Sequence, residues 1–275
     1  VSGDVPTLAL FNRVANTMAA MTLAYTPRTA AESDQVAWNR VLGYAEKGIT
    51  RDFGVVGDAT SWYSMMLGYN IPNWIVTDMR LMNRMDPQLP PKFHGHPDDL
   101  KLSTNPAADR RIATDWRHLG VAIGAAERGI FMLSPWYHNR YGYHAYLTNT
   151  TFTGVIPYIL KAENDLLIAE ALVRTNGDRA QAATLINNTR VGRGGLPPVS
   201  AGTATLELLR AIDYERDVEL LNTNGFTLFH ARHWEGGPLD RLQEGTWLHL
   251  PIPAKELETL QLPVYTFGGV GKPAM

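Results

Sequence analysis

Between Ile159 and Thr189 the chain spells out two helices and the turn between them, and no other stretch limits the fold as much. Ile159, Ala162, Leu166, Ala169 and Val173 recur at helical spacing and predict one apolar face. Asn176-Gly177 accepts the left-handed backbone that stops a helix, and Asp178 is a natural N-cap for the next one. Ala182, Leu185, Ile186 and Thr189 then line a return helix, and small alanines at the crossing let the pair approach closely. Arg193-Gly194-Gly195-Leu196-Pro197-Pro198 ends the hairpin, after which Thr205 to Leu221 predicts a third long helix with Leu209, Ile212 and Leu220 inward.

A second hairpin is predicted at residues 7 to 50. Leu10, Val14, Thr17, Met18 and Met21 share helical spacing, and Pro27 ends that helix. Asp34 is placed to cap the next, whose stripe is Trp38, Val41, Leu42, Ala45 and Ile49, with Gly48 near its end. In length the two hairpins resemble tetratricopeptide units, although two copies so far apart do not make a solenoid. Residues 51 to 157 change character: Pro, Gly, Asn, Trp and Tyr are scattered without a long helical period, which predicts irregular structure with short strands and helices. The expected organisation is a helical hairpin at 1–50, a loop-rich ligand-binding subdomain at 51–157, and a second hairpin, long helix and Gly/Pro-punctuated coil at 158–275. The fold class is mostly α, with hairpins packed on an irregular subdomain containing short strands.

Composition removes several functions. With 275 residues, 45% of them hydrophobic and 19% charged, the chain can bury a sizeable core as one large domain or two intimate ones. A net charge of −2 gives no electrostatic reason to expect nucleic acid or an anionic membrane surface as partner. The absence of cysteine removes disulfides, thiolate nucleophiles and Cys-type zinc sites. The longest uncharged run, Tyr141 to Leu160, is too polar and too broken by Gly142 and Pro157 to span a bilayer. Val1 leads into Pro6-Thr7-Leu8-Ala9-Leu10 without a basic segment and apolar run, so any export signal is expected to lie outside this sequence or to have been removed.

The middle region carries the residues suited to sugar. A pyranose presents C–H groups that stack on aromatic rings, and hydroxyls that planar amides and charges can meet. Trp62, Tyr63, Tyr69, Asn73, Trp74, Trp136, Tyr137, Asn139, Arg140 and Tyr141 form the candidate carbohydrate-binding set, though any one such ring more commonly fills core. Asn70, Trp116, His138 and Tyr143 belong to the same aromatic and amide-rich pattern.

Other chemistry is weaker. His94-Gly95-His96-Pro97-Asp98-Asp99 contains metal-ligand types, but Gly95 and Pro97 explain it as a polar turn, and neither metal nor cofactor is expected. Asp52, Asp58, Asp78 and Asp86 are candidates for paired carboxylates by location only, with no spacing that singles out a pair. No nucleophile elbow, His-Glu-x-x-His helix or phosphate loop is present, so a non-catalytic protein is expected. The sequons at Asn149 and Asn187 are formal only, since Asn187 falls in a predicted helix. Glu215 and Glu219 stand one turn apart, so a shared arginine would satisfy both; with Arg216 and Arg232 they read as structural charges. His230 and His233 are expected to cap or pack at a helix end.

Three blocks resemble the SusD/RagB family of outer-membrane nutrient-binding lipoproteins. Glu163-Asn-Asp-Leu166-Leu-Ile-Ala169-Glu170-Ala171, followed by Asn176-Gly177-Asp178, Ala182 and Ile186-Asn187-Asn-Thr-Arg190, is similar to that family's final tetratricopeptide-like hairpin. Leu209-Arg-Ala211-Ile212-Asp-Tyr-Glu215-Arg216-Asp-Val-Glu219-Leu220 is similar to its helix of paired Glu-Arg and Glu, and His249-Leu-Pro251-Ile252-Pro253-Ala-Lys-Glu256 to its closing Pro-Ile-Pro segment. The chain departs from the pattern at Asn224-Gly225-Phe-Thr227-Leu-Phe-His230-Ala-Arg232-His-Trp234, and the family's N-terminal part has no counterpart. The resemblance implies a SusD-like C-terminal portion that captures oligosaccharide or polysaccharide at the cell surface. It further implies delivery to a SusC-type TonB-dependent transporter in the outer membrane, with membrane attachment only through a lipid anchor outside this sequence. Two alternatives stay open: a self-assembling or protein-interaction scaffold built on helical hairpins, and a peptide-binding RagB-like relative.

Overall fold

The computed structural model describes residues 7–57, 75–93, 102–123, 133–141, 154–223, 227–250 and 252–263. Ten helices and four short strands occur among them, a mostly helical protein as the sequence predicts. By compactness the chain forms two units: Val1–Met21 with Trp38–Gly225, and Thr22–Ala37 with Phe226–Met275.

The first unit is organised by the hairpin of α6 (Lys161–Arg174) and α7 (Arg179–Arg190), closed by α8 (Thr205–Glu219). Its turn is built as the sequence predicts. Asn176 takes a φ of 53°, the Gly177 amide returns to the Leu172 carbonyl at 2.8 Å, and Asp178 caps α7 by accepting from the amides of Ala180 and Gln181. Leu166, Ala169, Val173, Ala182, Ile186, Leu208 and Ile212 make the core between the three helices. Leu208, one place before the predicted Leu209, holds the fully buried position on α8, and Leu209 packs at the margin.

Helix α3 (Trp38–Ala45) lies against α6. Helix α1 (Leu8–Tyr25) is anchored where Thr17 donates to Asn164 Oδ1 at 2.8 Å and accepts from the Ile49 amide, while Asn164 Nδ2 donates to the Ala45 carbonyl. The side of α1 bearing Thr17, Ala20 and Met21 is buried, but Leu8 (76%), Phe11 (60%), Ala15 and Met18 are exposed along one stripe of the same helix. The second predicted N-terminal helix is divided: α2 (Ala30–Asp34) starts at Thr29, whose hydroxyl accepts from the Glu32 amide, so Asp34 ends a short helix and does not cap the one bearing Trp38.

The middle of the chain supplies β1 (Phe53–Gly57), antiparallel to β4 (Gly154–Ile159), and β2 (Trp116–Ile123), antiparallel to β3 (Ser134–His138). Helices α4 (Met79–Met85) and α5 (Arg111–Asp115) accompany the second pair. A separate core of Met79, Met82, Met85, Leu89, Trp116, Trp136 and Val218 ties this region to α8.

In the second unit Arg232, in α9 (Thr227–Arg232), donates to the carbonyls of Tyr25, Thr26 and Leu248. His230 and His233 are buried and pack their rings against Tyr25 and, for His233, Trp234, which is the helix-end packing the sequence suggests. Helix α10 (Ala254–Thr259) follows, with Leu257 inward. Among the described residues no helix is long and apolar enough to cross a membrane.

Candidate functional site

Strand β3 and the three residues after it carry the half of the candidate sugar set that the structure describes, with Trp136 and Tyr137 on the strand and Asn139, Arg140 and Tyr141 just beyond it. The strand is paired so that Trp136 stands opposite His118, Tyr137 opposite Arg117 and His138 opposite Trp116. Opposed residues share a sheet face, so Trp116, His118, Trp136 and His138 lie together and Arg117 and Tyr137 lie on the other side. His118 and Trp136 meet edge to face at 4.8 Å, as do Trp116 and His138 at 4.9 Å. Trp116 donates to Thr77 Oγ1 at 3.0 Å, and the Thr77 amide donates to the Trp136 carbonyl, which fastens the chain before α4 to β3.

Trp136, Tyr137 and Tyr141 are only 4%, 5% and 4% exposed. Trp136 spends its ring on the methionine-rich core, so it offers no open face for stacking. Asn139 is buried as well; its amide donates to the Asp115 carbonyl at 2.6 Å, while its side-chain Oδ1, Trp136 Nε1 and His118 Nε2 have no partner among the described residues. Three unfilled hydrogen-bonding atoms on one hairpin is a notable concentration, because buried polar groups are nearly always paired. Burial raises the pKa of both phenols, opposed by Arg117 at Tyr137 and by Arg140 at Tyr141, so both keep their protons at neutral pH. Trp62, Tyr63, Tyr69, Asn73 and Trp74, the other half of the set, lie outside the described residues, as does the His94–Asp99 turn.

Behind β3 stands a buried ion network that the sequence predicts only in outline. Arg111 is the arginine that Glu215 and Glu219 share: its Nη1 lies 2.7 Å from Glu215 Oε2 and 3.1 Å from Glu219 Oε2, while Nη2 lies 2.7 Å from Asp109 Oδ2. Burial alone would favour a neutral guanidine, but the Asp109 and Glu215 carboxylates overcome it and hold Arg111 more firmly protonated than usual. Glu219 also binds Arg193 at 2.6 Å and Arg140 at 2.9 Å, and Arg193 forks onto both oxygens of Asp115 at 2.8 Å. Gly194 is required here, since a Cβ would come within 2.8 Å of the Arg190 carbonyl and 3.0 Å of Arg111 Nη2. Arg84 pairs with Asp213 at 2.6 Å and with Asp217, completing a run of acids along α8 that is met by arginines from four other segments.

The candidate carboxylates are accounted for individually. Asp52 accepts from the first amide of α6 at 2.7 Å, Asp78 caps α4 and pairs with Arg80, and Asp86 accepts from Gln88 and Asn105; Asp58 lies outside the described residues. Asn187 commits its amide to the backbone of Val199 in both directions. Among the described residues no three acidic or imidazole side chains gather as a metal site would require.

No protein-family model matches the chain, and no curated protein matches it. Solved structures do. A SusD superfamily protein from Parabacteroides distasonis superposes with a TM-score of 0.54 at 14% identity, covering 90% of this chain and 60% of its own. The surface glycan-binding protein A from Bacteroides uniformis superposes with a TM-score of 0.52 at 15% identity, covering 91% of this chain and 59% of its own. The chain thus spans about three fifths of the length of the structures it matches.

Proposed function

We propose, on the premise that this chain has the SusD-like fold, that it captures an oligosaccharide or polysaccharide at the cell surface and hands it to a SusC-type TonB-dependent transporter of the outer membrane. The observation that carries the reading is the superposition on a surface glycan-binding protein along 91% of the chain. The reading asks for no chemistry. It asks for moderate affinity, about 1 mM to 1 μM, because a ligand that must be passed on must also be released.

In this reading Trp62, Tyr63, Tyr69 and Trp74 are assigned the stacking and Asn73 the amide contact, whereas Trp136, Tyr137 and Tyr141, whose rings are buried, are assigned with Asn139 and Arg140 to support of the site. Titration of the purified chain with soluble glycans, followed by tryptophan fluorescence and calorimetry, tests it. A saturable signal that Trp74→Ala abolishes without lowering the melting temperature is the expected result. Silence across the panel from folded protein would sink the glycan reading, and competition by peptides would replace it with the RagB-like alternative.

A second reading, self-assembly through helices, is favoured by the exposed stripe of Leu8, Phe11, Ala15 and Met18 on α1. Its occupant is a second copy of the chain, and sedimentation decides it.

A further inference from the structure

Arg140 has the chemistry of a sugar-binding residue, a forked donor beside an amide and two phenols, yet both of its terminal nitrogens are engaged by Glu219. Its Nη1 donates to the backbone carbonyl of Glu219 at 2.9 Å, and its Nη2 lies 2.9 Å from Glu219 Oε1. Glu219 is the last residue of α8, so that carbonyl is one of the groups a helix leaves without an internal partner, and a cation there also meets the negative end of the helix dipole. One guanidinium therefore caps α8 and neutralises its final carboxylate. The side chain is 19% exposed and lies over the Tyr141 ring at 5.5 Å, so little of it is left for a ligand. One further tie runs in the same direction, since Asn222 Nδ2 lies 3.1 Å from His138 Nδ1 just beyond α8, while the Asn139 amide donates to the Asp115 carbonyl at the end of α5.

We propose that Arg140 is a positioning residue, a latch that fixes the end of β3 to the C-terminus of α8 and so sets the geometry of Tyr137, Asn139 and Tyr141. The functional half of this inference rests on the glycan-capture reading; the latch itself does not. The chain end it holds is the one bearing Asn139 Oδ1, which has no partner among the described residues and lies three residues past Trp136, whose carbonyl is tied to the Thr77 amide. Pre-organised partners bind without first losing conformational freedom, which is how a residue that touches no ligand changes affinity.

Hydrogen–deuterium exchange over residues 136–141, read beside glycan affinity and melting temperature, tests the latch in Arg140→Gln, Arg140→Lys and Asn222→Gly. The glycine variant keeps the positive φ of 59° at position 222 while removing the bond to His138. Expected are faster exchange confined to 136–141 in Arg140→Gln, about tenfold weaker glycan binding with most of the melting temperature kept, partial recovery in Arg140→Lys, and the same segment loosened in Asn222→Gly. Unchanged exchange in Arg140→Gln would overturn the latch, and loosened exchange with native affinity would overturn its role in binding. If the native chain binds no glycan, the capture reading fails, and exchange alone upholds or rejects the latch.

Discussion

His138 shows what a single buried group contributes. It lies between the rings of Trp116 and Tyr141, with Arg140 and Arg193 nearby; burial first, and then the two cations, push its pKa down to about 3. An unfolded chain takes up that proton near pH 6.5, whereas the folded one resists until about pH 3, so the stability tied to the neutral ring is complete above 6.5 and drains as pH falls toward 3. Glu215 acts in the opposite sense, because burial raises its pKa against the pull of Arg111, and it is common to native and variant proteins alike. The difference between native protein and His138→Gln therefore isolates the histidine. Between pH 6.5 and 4.5 the native protein is expected to lose about 2 to 3 kcal/mol more than His138→Gln, measured as denaturant midpoints across pH. Parallel acid limbs would mean that the ring is not held neutral. At this scale the sequence was informative about spacing and blind to identity. Glu215 and Glu219, one turn apart, announce that an arginine must serve both, but the arginine that does so is 104 residues away from Glu215, and only the closed fold selects Arg111. His138 likewise carries no local mark of its burial, which is made by α8 and by residues on both strands.

Elements meet where side chains are small enough, and Gly48 is among the tightest such places described in the first unit. A Cβ at that position would lie 2.1 Å from Asn164 Oδ1 and 2.4 Å from Thr17 Oγ1, the two atoms that bond α1 to α6. Gly48→Ala is accordingly expected to cost about 2 to 3 kcal/mol by forcing apart a buried polar pair, a drop in melting temperature of roughly 4 to 10 °C for a chain this long. A melting temperature within one degree of native would show that the junction of α1, α3 and α6 is loose. The elements that were legible are those whose signals are local. The α6–α7 hairpin is written in its apolar spacing, in Asn176-Gly177 and in Asp178, and the structure uses each as spelled. The helix expected from Asp34 onward was misplaced because Thr29 and Glu32 form a competing start signal a few residues earlier. Trp136 was a candidate for which core was the commoner expectation, and the antiparallel partner β2 and the methionines of α4 are what make it core.

At the scale of the whole molecule, α1 poses a question of completeness in energy. A helix with one apolar stripe is satisfied by one packing partner, but α1 is apolar on two opposed sides: Ala20 and Met21 are covered, while Leu8, Phe11 and Met18 stand in water. An apolar outer face therefore favours association wherever a second apolar surface is within reach, and another copy of the same helix is one such surface. A single stripe offers less than the roughly 1,200 Å² that a standard interface buries, so self-association is expected to be weak and reversible, apparent only in the upper micromolar range. Leu8→Glu and Phe11→Glu place charges on the stripe without touching the Thr17 anchor. Their melting temperatures should stay close to native, since substitutions at exposed positions usually change stability by less than about 0.5 kcal/mol, while the concentration-dependent rise in sedimentation coefficient disappears. Loss of folding in either variant would place the stripe inside the chain's own packing. A native protein that sediments as a monomer at every concentration would remove self-assembly as a reading.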